Sequence, residues 1–322
     1  MTKPTISASL IIRNEEEMLP RCLESIKGVD EIVIQDTGSD DDSIEIAEKF
    51  GAKVFTEYKW NDHFSEARNM SKSHCTGDWL LIIDGDEELK TPIEAIRKLL
   101  DQPFMKKKDL VLFDVDTGME SNPQPRLFRN SPDIEWVSAA HNKVCAIMPD
   151  GSRKDLAHIT ERVFKSTFKI MAYLSPNHQV DPDRTLRIMV NEVSKGWEAL
   201  GRTQYTRYLY YIAREYLNRK DPIRALYHLN DYVKIAAPTN ELADAWYIMG
   251  TCYVALGKND EAVDAFLKSI KYMPAFKAPW AMIHNMVSKK YRKIFSKAFH
   301  AADNDNVLFV RKSAEELFKD EK

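Results

Sequence analysis

The spacing of apolar residues changes character twice along this chain of 322 residues. Up to Leu100, short apolar runs alternate with one-sided stripes. Ile6 to Ile12 predicts a strand, and Glu15 to Ile26 a helix with Met18, Leu19, Cys22, Leu23 and Ile26 on one face. Glu31 to Gln35 predicts a second strand, and Ser43 to Phe50 a helix stopping at Gly51, a usual residue just past a helix end. A third strand follows at Ala52 to Phe55, a helix at Phe64 to His74, and a fourth strand at Trp79 to Ile83. Strands separated by helices at this spacing pair in parallel through right-handed crossovers. From Leu110 to Met148 the pattern becomes short strands (Leu110 to Val115, Ile134 to Val137, Lys143 to Met148) parted by Pro123, Pro125, Pro132 and Pro149. These predict a half-domain that completes a mixed sheet.

After residue 160 strand signals vanish and the chain reads as helices. Ala213, Tyr216, Lys220, Ala225 and Leu229 are matched 37 positions later by Gly250, Tyr253, Gly257, Ala262 and Phe266. The second unit, Trp246 to Pro274, places its small, aromatic, Gly, Ala, Phe and Pro residues as tetratricopeptide repeats do. Such repeats usually run about 34 residues, and the surplus fits a loosened turn around Pro238. Flanking helices at Asp181 to Lys195 and Pro279 to His300 are expected to cap the stack; the alternative is an ordinary helical bundle. The expected organisation is an α/β domain over 1–160, a helical connector with an apolar face at Val163 to Leu174 over 161–202, and a helical-repeat domain over 203–322.

Composition narrows the function classes. A hydrophobic fraction of 44% supports sizeable cores, and a net charge of −3 gives no global field for nucleic acid. The four cysteines, Cys22, Cys75, Cys145 and Cys252, have no paired spacing for zinc or redox chemistry. With no signal-like apolar start and no apolar run near 18 residues, the expectation is a soluble cytoplasmic protein with no membrane partner.

The candidate chemistry lies at strand ends. Trp79 to Glu88 is an apolar strand running into Asp84 and Asp86, which stand one residue apart. Open α/β sheets bind ligands at the carboxyl ends of their strands, and two close carboxylates suit a hard divalent ion that can hold a diphosphate. Arg13-Asn14-Glu15-Glu16 follows the first strand, Asp36 to Asp42 follows the second, and Ala67-Arg68-Asn69 precedes the fourth. Each segment alone could be a turn or helix cap; four of them at strand ends of one sheet are hard to explain as caps. No Gly-rich phosphate loop is present, which argues against nicotinamide and ATP sites.

Leu10-Ile-Ile-Arg-Asn-Glu-Glu, Asp36-Thr-Gly-Ser-Asp-Asp, Glu66-Ala-Arg-Asn and Asp84-Gly-Asp-Glu resemble the four ordered signatures of family 2 glycosyltransferases with the GT-A fold, over residues 5 to 160. The helical tail resembles the branch of bacterial enzymes, sublancin S-glycosyltransferases among them, that modify peptides or proteins. The resemblance implies an inverting hexosyltransferase drawing on a UDP-sugar with Mn²⁺ or Mg²⁺. It implies that Asp36 reads the uracil, that Arg13 and Asn14 lie along the nucleotide, and that Arg68 and Asn69 lie by the base and diphosphate. Asp84 and Asp86 would meet the ribose and the metal–diphosphate.

The second half of the site is less complete. Pro125-Arg-Leu-Phe-Arg129 and Trp136 to Asn142 resemble an Arg-Leu-Phe-Arg and Val-His-Glu run of this branch, with Asn142 where Glu is usual. His141 is then the candidate base, as imidazole suits proton transfer near neutrality, with a structural hydrogen-bonding role as the alternative. His158 in Asp155-Leu-Ala-His matches a strand-end histidine that in metal-dependent relatives completes the metal shell. The expected acceptor is a peptide or protein. Modified DNA is a lesser alternative, raised by the basic-aromatic segment Lys289 to Lys297, and a polysaccharide is another. A catalytically inactive domain in a repeat-based interaction protein is the rival reading that Asn142 favours.

Overall fold

The computed structural model describes residues 3–287 apart from 174, 177–179 and 238, together with residues 292 and 296. The chain divides after Ile188 into two units. In the first, β1 (Ile6–Ile12), α1 (Leu19–Ser25), β2 (Glu31–Asp36), α2 (Ser43–Lys49), β3 (Lys53–Phe55), α3 (Phe64–Ser73) and β4 (Trp79–Ile82) follow the alternation read from the apolar spacing. Next come β5 (Glu87–Leu89), α4 (Ile93–Leu100), β6 (Leu110–Asp116), β7 (Ser121–Arg129), β8 (Ile134–Val137), β9 (Lys143–Ile147), β10 (Arg153–Asp155) and β11 (Val163–Ala172). Helix α5 (Arg184–Ser194) opens at the end of this unit.

The main sheet has the order β3-β2-β1-β4-β7-β6-β11-β5. Strands β1 to β4 are mutually parallel, β7 runs antiparallel between β4 and β6, and β11 lies parallel to β6 with β5 antiparallel at the edge. A second sheet, β10-β9-β8, is antiparallel. The uninterrupted apolar run of β4 is explained by burial on both faces. Trp79 and Leu81 join a core with Leu10, Leu19 and Leu23, while Leu80 and Ile82 join another with Phe128, Ile134 and Trp136. Each such side chain contributes about 1.5–3 kcal/mol by leaving water. Both cores meet at β4, so the turn that follows it is anchored from two sides.

Three expectations are corrected. Helix α1 starts at Leu19 and not at Glu15, because Glu15 to Met18 form a turn closed by Leu19 N–H donating to the Glu15 carbonyl at 2.8 Å. Pro123 and Pro125 do not break the chain: they sit within β7, in the half that pairs with β6, while β4 takes only Leu127 to Arg129. A proline lacks an N–H, so it is tolerated where one edge makes no ladder. The segment after residue 160 does not begin helical. Val163–Ala172 is a strand, and its Phe164, Phe168 and Ile170 pack on the main core. Its apolar residues at 164 and 168 match helical spacing, while 168 and 170 match a strand, and only pairing with β6 and β5 decides between them. The first unit therefore extends through most of the expected connector.

The second unit contains α6 (Trp197–Leu200), α7 (Arg202–Asn218), α8 (Pro222–Ile235), α9 (Asn240–Ala255), α10 (Asn259–Tyr272) and α11 (Lys277–Met286). The 37-residue repeat has a physical counterpart. Lys220 and Gly257 both adopt left-handed backbone, with φ of 58° and 71°, just beyond α7 and α9. Asp221 then caps α8 by accepting from Arg224 N–H, and Thr239 caps α9 by accepting from Leu242 N–H. Ala225 and Ala262 are fully buried at matched places. The basic segment Lys289 to Lys297 and the expected helix beyond Met286 fall largely outside the described residues. Among the described residues no helix is long and apolar enough to cross a membrane.

Gly250 lets α9 and α10 approach: a Cβ there would lie 2.4 Å from a ring carbon of Phe266. Glycine to alanine in an open helix stabilises by roughly 0.5–1 kcal/mol. Gly250→Ala should do the opposite, lowering stability by about 1–3 kcal/mol through overpacking. Thermal or urea unfolding checks the sign, and Phe266→Leu in the same chain should restore part of the loss.

Candidate active site

At the end of β4 the chain turns through Asp84, Gly85 and Asp86 into β5. Asp84 N–H donates to Glu87 Oε2 and Glu87 N–H to the Asp84 carbonyl, both at 3.0 Å, closing the turn on itself. Glu87 is buried at 5% exposure, and such a carboxylate needs a partner. The partner is Arg126 of β7, also buried, whose Nη2 lies 2.6 Å from Glu87 Oε1 and whose Nη1 lies 3.7 Å from Asp84 Oδ2. Arg68 of α3 donates to Asp84 Oδ1 at 2.8 Å. Asp84 is thus held between two guanidinium groups. Burial raises Glu87 above the usual carboxylate range, against the pull of Arg126.

Glu15 reaches the same turn from the β1–α1 loop, and a Cβ on Gly85 would lie 3.1 Å from Glu15 Cγ. A side chain at 85 would press on Glu15 and require it to shift by a few tenths of an ångström. Burial lifts Glu15 to about 7, opposed by the hydrogen bond from Ser175 and assisted by the charges of Asp86 and Asp84. The Ser175 hydroxyl donates to Glu15 Oε2 at 2.8 Å, and Tyr173 N–H donates to the Asp86 carbonyl at 3.0 Å. The chain leaving β11 is therefore fastened to the acidic turn.

The loops after β1 and β2 are stitched together. Asn14, at a φ of 54°, exchanges hydrogen bonds with Asp40: its Nδ2 donates to Asp40 Oδ1 at 2.6 Å and its Oδ1 accepts from Asp40 N–H at 2.9 Å. Asp36, only 2% exposed, accepts from the Gly38 and Ser39 N–H groups at 2.8 and 3.0 Å and from the Ser39 hydroxyl at 2.5 Å. Asp36 holds the turn that follows β2 and does not itself line the cleft around Asp84 and Asp86. On α3, adjacent residues point apart. Arg68 faces the acidic turn, with its guanidinium 5.1 Å from the Trp136 ring centroid. Asn69 is spent elsewhere, donating to the Trp136 carbonyl and accepting from the Trp136 N–H, each at 2.9 Å. These two hydrogen bonds fasten α3 to β8.

One cleft gathers Arg13, Glu15, Arg68, Asp84 and Asp86 from the segments named in the sequence, and adds Trp60, Phe64 and Arg184. Trp60 meets Phe64 edge-on at 4.8 Å and donates through its indole N–H to Asp62 at 2.9 Å. His141 does not line this cleft. It is exposed at a φ of 46° in the loop from Ser138 to Asn142. That loop adjoins the cleft through α3, for Phe64 N–H donates to the Ala139 carbonyl and the Ser65 hydroxyl to the Ser138 carbonyl. Asn142 supports the same join by donating to Ser65 Oγ at 3.3 Å. His158 is not among the residues lining this cleft. Its side chain is 81% exposed, 3.8 Å from Asp155, which is turned to cap the short helix containing His158. Among the described residues no three His, Cys, Asp or Glu side chains converge as a metal cluster. Asp86 with a diphosphate and water still fits Mg²⁺ or Mn²⁺, because such ions are held by one or two carboxylates plus substrate oxygens.

Residues 7–133 match the Glycosyl transferase family 2 family, and residues 243–276 match a tetratricopeptide repeat. A TPR repeat-containing protein of Synechococcus elongatus is 42% identical over 144 residues, which are 43% of this chain and 35% of that protein. The glycosyltransferase SunS of Bacillus subtilis is 34% identical over 146 residues, 44% of this chain and 35% of its own length. An uncharacterized glycosyltransferase of Rickettsia conorii is 39% identical over 90 residues, 28% of this chain and 31% of that protein. The chain thus spans about a third of the length of the curated relatives it matches. Among solved structures, S. aureus TarS residues 1–349 with UDP-GlcNAc aligns at a TM-score of 0.49 and 14% identity, over 83% of this chain and 91% of that one.

The hydrogen bonds of Asn69 generate a test of its role. Asn69→Ala leaves the Trp136 N–H and carbonyl without their partners and should cost about 1–3 kcal/mol. Urea unfolding should record that loss, and uridine nucleotide affinity should hold once the variant is folded.

Proposed function

We propose that this chain, a family 2 glycosyltransferase domain followed by tetratricopeptide helices, moves a sugar from a UDP-sugar to a peptide or protein acceptor with inversion at the anomeric carbon. The observation that carries this reading is the meeting of Arg13, Arg68, Arg184, Asp84 and Asp86 in one cleft at the carboxyl end of β4. A nucleotide sugar departs as a diphosphate, so a catalyst must neutralise charge growing on the leaving oxygen. Mixed cations and carboxylates are what such a cleft requires, the cations for phosphate oxygens and the carboxylate for a divalent ion. Asp86 would hold Mn²⁺ or Mg²⁺, and the bound ion would supply Lewis-acid stabilisation of the diphosphate. Arg126, Glu87 and Arg68 hold the turn so that Asp86 is presented at a constant height. Asp36 and Asn14 shape the paired loops that would receive the uridine.

Transfer breaks the bond from the anomeric carbon to UDP and forms one to the acceptor nucleophile, whose proton passes to a base. His141 is the proposed base, held one loop away from Phe64. The macromolecular acceptor is supported by the helical repeats, since stacked helix pairs offer an extended surface. It is also supported by the resemblance to peptide-modifying enzymes.

Two experiments test the reading. UDP release from UDP-sugars, followed with and without Mn²⁺, should show slow metal-dependent hydrolysis. Asp86→Ala should lower it by about 10²-fold or more, the scale on which a charge stabilising a transition state acts. In Mn²⁺ binding measured by electron paramagnetic resonance, tight binding should need UDP, because one carboxylate is too few donors alone. Tight Mn²⁺ binding by the nucleotide-free protein would remove the substrate-completed site.

For His141, replacement by alanine should reduce transfer about 10²–10⁴-fold, as loss of a general base does, with donor affinity unchanged. Loss of donor affinity would place His141 at the nucleotide, and full turnover would leave it structural.

A further inference from the structure

We propose that Arg184, the first residue of α5, binds the donor diphosphate directly and shares with the metal the neutralisation of the leaving group. This rests on the reading of the cleft as a nucleotide-sugar site. Three arginines line that cleft, and they are not equivalent. Arg68 is already paired with Asp84 at 2.8 Å. Arg13 stands in the loop after β1, stitched to the next loop through Asn14. Arg184 makes no carboxylate pair among the described residues, and its Nε is buried without a hydrogen-bond acceptor. Arg68 Nε shares that condition. A buried donor without an acceptor is costly, and an anion in the cleft they both line would relieve the cost.

The surroundings orient Arg184 without consuming its donors. Its guanidinium carbon lies 5.2 Å from the Phe64 ring centroid. Stacking on an aromatic face leaves the in-plane N–H groups available for a bidentate grip on phosphate. One turn further, Arg187 pairs with Asp62 at 3.4 Å, Asp62 accepts from Trp60, and Trp60 packs on Phe64. These contacts close a ring around the arginine that fixes the start of α5 against the loop before α3. The cation therefore faces the cleft from a segment remote in sequence from the acidic turn, and the two sides would grip a diphosphate between them.

The test uses the full chain, with UDP and uridine as probes in calorimetry in the presence of Mn²⁺. Arg184→Ala should weaken UDP binding about ten- to a hundredfold, the range for a charge-assisted hydrogen-bonding group, and leave uridine binding within twofold. Arg184→Lys should recover part of the UDP affinity, because a point charge replaces the fork. Hydrolysis of UDP-sugar should fall in parallel in Arg184→Ala. Equal UDP affinity in wild type and Arg184→Ala would overturn the proposal, as would equal losses for UDP and uridine, which would make Arg184 a support for the nucleoside side or the fold. An unchanged melting temperature for the ligand-free variants separates binding from unfolding. A wild-type chain that binds no UDP would defeat the underlying reading instead, a result distinct from a variant that binds as well as wild type.

Discussion

The first unit turns on a charge network under its acidic turn. Glu87 and Arg126 are both buried, and neither could be tolerated there alone, since removing one partner of such a pair costs about 3–5 kcal/mol. They meet at 2.6 Å, and Asp84 sits between Arg126 and Arg68. The network draws on β5, β7, α3 and the end of β4, so it forms only when the sheet is correctly assembled. Its consequence is a fixed turn: Gly85 lies close against Glu15, and Asp86 lines the cleft with its carbonyl tied to Tyr173. The stability of the sheet and the geometry of the site are here one arrangement of charges.

The same arrangement divides labour between the two aspartates. Asp84 is neutralised by cations and serves the architecture. Asp86 lies two residues further round the turn and lines the cleft. Arginines then supply positive charge from three separate parts of the chain, at residues 13, 68 and 184. The lining of the cleft mixes these cations with the carboxylates of Glu15, Asp84 and Asp86.

The helical unit obeys a different logic. Its helices are specified by small residues where they cross and by left-handed residues where they end. Gly250 under Phe266 sets the separation of α9 from α10, and Lys220 and Gly257 reverse the chain after α7 and α9. Lysine adopts the left-handed region at a cost that glycine avoids, so the first repeat is the less ideal copy. The 37-residue period records this shared backbone geometry more faithfully than shared chemistry.

Much of the fold was legible because short-range physics wrote it. The buried run of β4, the amphipathic helices between parallel strands and the five-position repeat each follow from spacing alone. So did Asp84 and Asp86, since carboxylates after a buried strand must sit at its carboxyl end. Strand β11 was not legible, because its apolar spacing satisfies a helix as well as a strand and only its neighbours β6 and β5 decide. Asn69 and Asp36 were identifiable as functional candidates, yet the structure alone decided that Asn69 bonds to Trp136 and that Asp36 holds its own turn. His158 followed a motif, but the cap made by Asp155 leaves it in solvent. Arg184 and Trp60 join the cleft from segments with no local signature, and Glu15 and Arg126 lie in segments the sequence singled out without showing that they meet at the acidic turn. Local patterning determines where strands, helices and their ends lie; which side chains meet across distant segments is decided by long-range burial and charge pairing, which exist only once the sheet has closed around them.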